Sequence, residues 1–337
     1  MSHHFTMQAL VHSDIPGPDG LRLDDVSRPE IGADDVLIEV AAAGLNRHEL
    51  FVINAHSGDD TKIVGADAVG TVIAAGIDAG QELVGRRMLV NPCLGWTDPD
   101  DVPQVPTILG GPVQGTFAEY VRVPADNVHP VPQHLSDIEA AALPLAGLTA
   151  YRALFTKGNL RPGGHVVITG ATGGAGTMAL SMAVAVGAEV TVVTRHHSKA
   201  AQARTLGAAH VVVGAADFDE HLHAPADLVL DSVGAFSFPA AIRAVRPGGR
   251  IVSFGATTAP DITLSLRDLF FRQISLEGTS MGSAPEFARM LAFVTDYEVR
   301  PVVHASRPLS EAPAAFREMA SGNNFGKTVF IPRRRTA

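Results

Sequence analysis

Two rhythms of apolar and polar positions divide the chain. Over residues 1–130, short β-rich runs alternate with Gly, Pro and Asp, as in "DDVLIEVAAAG", "GTVIAAG", "GRRMLV" and "TFAEYVRVP". Short strands with turn residues between them predict a partly antiparallel, barrel-like domain. The rhythm then changes. Ser136 stands three residues before Glu139, the capping-box spacing that opens a helix, and an apolar helical pattern runs on to Leu154. "HVVITG", "EVTVVT", "HVVVG", "ADLVLDSVG", "GGRIVSFGA" and "ISLEGTSMG" are strand-like, with helical patterns between the first three. Apolar β-branched runs alternating with helices predict a parallel sheet covered on both faces, a doubly wound α/β domain over 131–301. From 302 to 337 the short-strand style resumes, so this tail is expected to rejoin the first domain.

One turn in the second rhythm carries chemistry. "VVITGATGGAGTMAL" sets Ala171, Gly173 and Gly176 at the three positions of the G-x-G-x-x-G spacing, with a strand before and a helix after. Gly173 would let the backbone approach a pyrophosphate, and Gly176 would let the helix lie close on the strand. The N–H groups and positive dipole at the helix start would hold the anion, so Thr172, Gly174 and Ala175 belong to the same candidate site.

The next strand end reports the cofactor. An NAD-preferring site usually keeps an acid there for the ribose hydroxyls. This chain reads "VVTRHHSK": Thr194, then Arg195, Ser198 and Lys199. A guanidinium, a hydroxyl and an ammonium suit a 2′-phosphate, so NADPH is the expected cofactor. The alternative is that Arg195 and Lys199 merely sit on a solvated helix start. His196 and His197 could flank the adenine or face water.

Composition narrows the partners. A net charge of −9 with one Trp and three Tyr argues against a nucleic-acid surface, and the basic run Arg333–Arg335 reads as a solvated tail. A single cysteine, Cys93, rules out an intrachain disulfide and a four-thiolate zinc site. No apolar run approaches a bilayer span and "MSHHFTMQAL" lacks a signal pattern, so the expected setting is cytoplasmic.

"AAGLNRHEL", "VGADAVGTV", "GTFAEYVRVP", "AALPLAGLTAYRAL", "GATGGAG", "LDSVG", "GGRIVSFGAT" and "FGKTVF" occur in this order along nearly the whole chain. Together they resemble the medium-chain dehydrogenase/reductase superfamily, in its zinc-type alcohol dehydrogenase and quinone oxidoreductase branches. The resemblance implies a GroES-like β-barrel catalytic domain (1–130 and 302–337) and a Rossmann NADP-binding domain (131–301). It implies a homodimer through the "ISLEGTSMG" edge.

It also shows what is missing. The position of Asn46 is a ligand Cys in zinc members, and the next ligand position falls on Ala66 of Gly65-Ala66-Asp67. Of the structural-zinc cysteines only Cys93 remains, so no metal is expected. The resemblance then implies hydride transfer to an activated double bond (quinone, enone or enoyl compound), whose enolate charge hydrogen bonds can hold without a Lewis acid. A zinc-free carbonyl reductase or alcohol dehydrogenase and a non-catalytic NADPH-binding protein stay open as alternatives.

The candidate catalytic residues are Asn46, as a donor to the substrate carbonyl or else an amide that only ties a loop; His48 and Asp67, as proton-relay members or else structural groups; and His56, as a proton donor or else an exposed loop histidine. His56 and Ser57 stand near the place of a tyrosine found in quinone and enoyl reductases. Thr149 matches a position near the nicotinamide, or else bonds its own helix. Ser232, Val233, Gly255, Ala256 and Thr257 lie at strand ends expected to line the cofactor, and Lys327 matches a lysine close to it, or else is only solvated after its Gly turn. The loops that would line a substrate are poor in charge, so a neutral, conjugated small molecule is expected.

Overall fold

The computed structural model describes residues 6–56, 61–214 and 216–333, so Ser57, Arg334 and Arg335 fall outside the described residues. The chain divides into two compact units, Met1–Leu145 with Ser283–Thr295 and Arg300–Ala337, and Ala146–Gly282 with Asp296–Val299.

Strand Asp35–Gly44 is the centre of the first unit. It pairs antiparallel with Val69–Ala75, Tyr120–Pro124 and Lys327–Ile331, and Val303–Pro308 then pairs parallel with Lys327–Ile331. Its alternating side chains place Val36, Ile38 and Val40 in a core shared with Phe117, Phe316 and Phe330. Strands Leu21–Ser27, Thr6–His12 and Lys62–Ile63 form a second, smaller sheet.

The second unit holds six parallel strands in the order His210–Val213, Glu189–Thr194, His165–Thr169, Ala226–Asp231, Val245–Ser253, Ser275–Gly278. The order reverses direction beside His165–Thr169, the topological switch point at which such sheets open a crevice for a dinucleotide. Val166, Val167 and Ile168 are fully buried, as a two-sided parallel strand requires.

Three expectations need correction. The helical stretch from 136 to 154 is broken: Ser136 caps a short helix, Asp137–Ala141, and a second helix starts at Pro144 and runs to Tyr151. Proline has no N–H to give to the preceding turn and excludes the helical conformation from its predecessor, so Pro144 opens a helix where it cannot continue one. The tail is more than short strands, since Ala312–Ser321 is an amphipathic helix burying Ala315, Phe316 and Met319.

The unit boundaries also move. Residues 131–145 and the helix Ala284–Asp296, up to Thr295, pack with the first unit. Ala284 N–H donates to the Trp96 carbonyl at 2.8 Å, and Phe287 lies 4.9 Å from the His129 ring. Among the described residues no helix is long and apolar enough to cross a membrane.

Candidate active site

The antiparallel register of the first unit assembles a buried polar knot. Gly44 lies opposite Val329, and Leu45 N–H donates to Thr328 at 2.9 Å, so the next step sets Asn46 against Lys327. Asp67 lies just before the neighbouring strand Val69–Ala75, its carbonyl accepting from Gly44 N–H at 3.3 Å. The Lys327 ammonium donates to Asn46 Oδ1 and, at 3.0 Å, to Asp67 Oδ2. Asn46 Nδ2 donates to the same Asp67 oxygen at 3.0 Å and to the Gly44 carbonyl at 3.3 Å. Asp67 Oδ1 accepts from Leu145 N–H at 2.9 Å. Lys327 is 3% exposed and Asp67 0%, so this is an ion pair whose charges answer each other in place of water.

Glu49 is the member sequence reasoning missed. Fully buried, it accepts from Asn46 N–H at 2.6 Å and Ala66 N–H at 3.0 Å. Burial pushes its carboxyl up to about 7 and the nearby Asp67 charge adds to this, while Lys327 opposes it. The signal was available: Asn46 and Glu49 stand three apart at a helix start, the spacing of a capping box.

This geometry changes several readings. Asn46 is not a free donor, because both amide hydrogens have acceptors inside the knot. Asp67 has a partner on each oxygen, so it holds the knot together. Lys327 is interior instead of solvated. His56 caps the far end of helix Arg47–Ala55, edge-on to His12 at 5.2 Å between centroids. At 1.5 Å per residue that end lies about 15 Å from Asn46, so the two do not act on one atom.

His48 differs from all of these. It is half-buried, and its Nε2 is buried with no hydrogen-bond partner. Burial lowers its pKa and Asp67 partly restores it, so the ring is neutral at neutral pH. The same nitrogen would lie 3.6 Å from a Cβ placed on Gly111.

Among the described residues, the side chains around Asn46 are a poor donor set for a catalytic zinc. Ala66 offers no ligand atom, and the oxygens of Asn46 and Asp67 are already bonded. Among the described residues, one group of three His, Cys, Asp or Glu side chains can converge on a metal, and it lies in the second unit.

The glycine turn of the second unit does fit a dinucleotide. Gly173 caps helix Gly174–Ala185, and a Cβ there would meet nothing nearer than 3.9 Å, so its outer face is open to a ligand. At Gly176 a Cβ would fall 2.6 Å from Ala171 Cα, so only glycine permits this helix-to-strand approach. Lys199 is buried and reaches back to Thr172 Oγ1 at 3.3 Å, while Arg195 and Ser198 are exposed beside buried Thr194.

At the same edge of the sheet Ser232, Val233, Gly255, Ala256 and Thr257 come together. Thr257 N–H donates to Ser232 at 3.4 Å, and Thr258 N–H to Val233 at 2.9 Å. Asp231 holds this edge, accepting from Thr169 Oγ1 at 2.6 Å and Gly234 N–H at 2.8 Å. Thr149 is buried within helix Pro144–Tyr151.

Comparison with known proteins agrees with both halves. Residues 32–133 match the alcohol dehydrogenase GroES-like domain, and residues 174–296 match the zinc-binding dehydrogenase family. A zinc-type alcohol dehydrogenase-like protein of Leptosphaeria maculans is 34% identical, across 92% of this chain and 94% of that protein. The solved structure of an NAD-dependent alcohol dehydrogenase superposes with a TM-score of 0.90 at 32% identity, covering 96% of this chain and 99% of that one. Acryloyl-coenzyme A reductase of Sulfurisphaera tokodaii is 26% identical over 97% of this chain and 100% of its own length. The chain belongs to the medium-chain dehydrogenase/reductase superfamily. Its relatives are oxidoreductases, of both the alcohol dehydrogenase and the enoyl-thioester reductase kinds.

Proposed function

We propose that this chain is an NADPH-dependent reductase that delivers hydride to an activated double bond without a catalytic zinc. The observation that carries the reading is the knot of Asn46, Asp67 and Lys327, whose donors and acceptors are consumed by one another at the place where zinc relatives carry ligands. Without a Lewis acid, the enolate of a conjugated acceptor is easier to stabilise than a localised alkoxide.

NADPH supplies the hydride when bound. Gly173 and the start of helix Gly174–Ala185 receive the pyrophosphate, and Arg195, Ser198 and Lys199 receive the 2′-phosphate in place of an acid. Thr149, Ser232, Val233 and the Gly255–Thr257 edge line the rest of the cofactor. His48, neutral and with an uncommitted ring nitrogen, donates a hydrogen bond to the enolate oxygen, and a proton from water completes the reduction at the α-carbon. Asn46, Asp67 and Lys327 position the start of the His48 helix. We further infer that two copies pair along strand Ser275–Gly278, beside which Leu266, Phe270 and Phe271 are exposed. Light scattering at twice 35.3 kDa supports that, and at 35.3 kDa refutes it.

The test is NADPH oxidation against a quinone, an aliphatic enone, an enoyl thioester and a simple ketone. Turnover with the conjugated acceptors and not the ketone supports the reading, whereas turnover with the ketone alone replaces it by a metal-free carbonyl reductase. That second reading draws on the alcohol dehydrogenases among the more similar relatives.

A further inference from the structure

We propose that the second unit carries a site for an imidazole-preferring divalent metal ion, zinc among them, formed by Glu189, His210 and His223. It lies at the amino-terminal edge of the parallel sheet, opposite the edge at which the dinucleotide is placed, and it is independent of the reading above.

Topology brings the three together. Glu189 opens its strand and His210 opens the neighbouring edge strand, where it pairs with Thr191. Alternation puts Glu189 and Thr191 on one face, so the Glu189 carboxylate is diagonal to His210. His223 arrives on the strap that follows the turn Phe218–His221. That strap is pinned. Phe218 is fully buried in the core, and the Asp219 carboxylate takes Arg243 in a two-point pair at 2.7 and 2.8 Å.

The side chains converge on one point. His210 Nε2 and His223 Nε2 each lie 2.9 Å from the same oxygen, Glu189 Oε1, and all three ligand atoms fall within 4.8 Å of one another. The two imidazoles stack with centroids 4.0 Å apart. Without a metal, two Nε2–H groups crowd one carboxylate oxygen; with each hydrogen carried on Nδ1 instead, the two neutral Nε2 lone pairs and the carboxylate would bind a dication between them.

Two imidazoles and one carboxylate are a donor set that zinc accepts with a position left over for water. His210 and His223 also border a cavity of about 230 Å³, together with Thr191, Arg204 and His221. The Arg204 charge and the nitrogen ligands disfavour hard cations, which need several oxygens.

His165 completes the site without being a ligand. Its Nε2 is bonded to Thr191 Oγ1 at 2.8 Å, and its ring lies 4.8 Å from that of His223. A bound ion would therefore tie the edge strand, its neighbour and the strap together.

The test is calorimetric titration of zinc into the tag-free, chelator-treated full chain, beside its thermal unfolding with and without zinc. The expected result is one ion per chain and a raised Tm. Affinity should be at least about tenfold weaker in His210→Gln and in His223→Gln, and unchanged in His221→Gln. All three substitutions fall on exposed residues, and circular dichroism checks the fold. Absence of uptake by the parent chain, or a Tm rise that survives in the doubly substituted His210→Gln/His223→Gln chain, would overturn the proposal.

Discussion

Lys327 and Arg195 are both basic side chains close to the end of a strand, yet one is 3% exposed and bonded to two partners and the other stands in the open. The difference separates two kinds of polar cluster. In the first unit Asn46, Glu49, Asp67 and Lys327 satisfy one another, so the cluster fixes the backbone. In the second unit Gly173 faces open space and Arg195 and Ser198 face solvent, so groups there remain available for a ligand. A residue type at a family position does not by itself say which kind it belongs to.

Breaking the first cluster should have the largest effect. Lys327→Met leaves the Asp67 charge buried without its cation, at a cost of about 3–5 kcal/mol in urea unfolding. Adding Asp67→Asn should recover part of that loss, since the unpaired charge is then gone. A cost under about 1 kcal/mol, typical of a solvated pair, would show the knot to be open to water.

The next effect is a pH dependence. Glu49 titrates near 4.5 when unfolded and about 7 in the fold, so between these values the native state binds the extra proton. Stability should therefore fall as pH rises through that window, by on the order of 3 kcal/mol from this group. Glu49→Gln should flatten the slope between pH 5 and 8; an unchanged slope would assign it to other groups.

The two glycines of one turn sharpen the comparison further. Gly176→Ala meets Ala171 at 2.6 Å and should lower stability by about 1–3 kcal/mol. Gly173→Ala should leave the Tm alone and weaken NADPH, because its Cβ points into open space. If both lose stability equally, Gly173 is a packing residue. The smallest effect is one of specificity: Arg195→Glu should weaken NADPH by roughly ten- to a hundredfold and NADH much less. Equal losses for both would take Arg195 out of the phosphate site.

What could be read from the sequence was whatever depends on local order. The strand, glycine turn and helix around Gly173 are adjacent in the chain, whereas the readings of Asn46 and Ala66 came from the family resemblance and not from local order. The break at Pro144 was equally local and was overrun by an apolar pattern that continued across it. Clusters assembled by strand order were not legible. Asn46 and Lys327 meet only because a carboxyl-terminal strand lies beside Asp35–Gly44, and Glu189, His210 and His223 meet only because three segments share one sheet edge. Spacing along the chain carries no trace of either.

The place of strand Lys327–Ile331 also bears on the order of assembly. It lies inside its sheet, between Asp35–Gly44 and Val303–Pro308, and it brings the lysine that neutralises Asp67. During synthesis, residues 146–282 can close their sheet as soon as they emerge, since all six of its strands are there. The first unit cannot complete its sheet until residues 327–331 have followed the whole second unit, and until then Asp67 lacks its cation and strand Asp35–Gly44 has an unpaired edge. The unit begun first is thus completed only after the second, so its open strand edge is exposed for longer during synthesis.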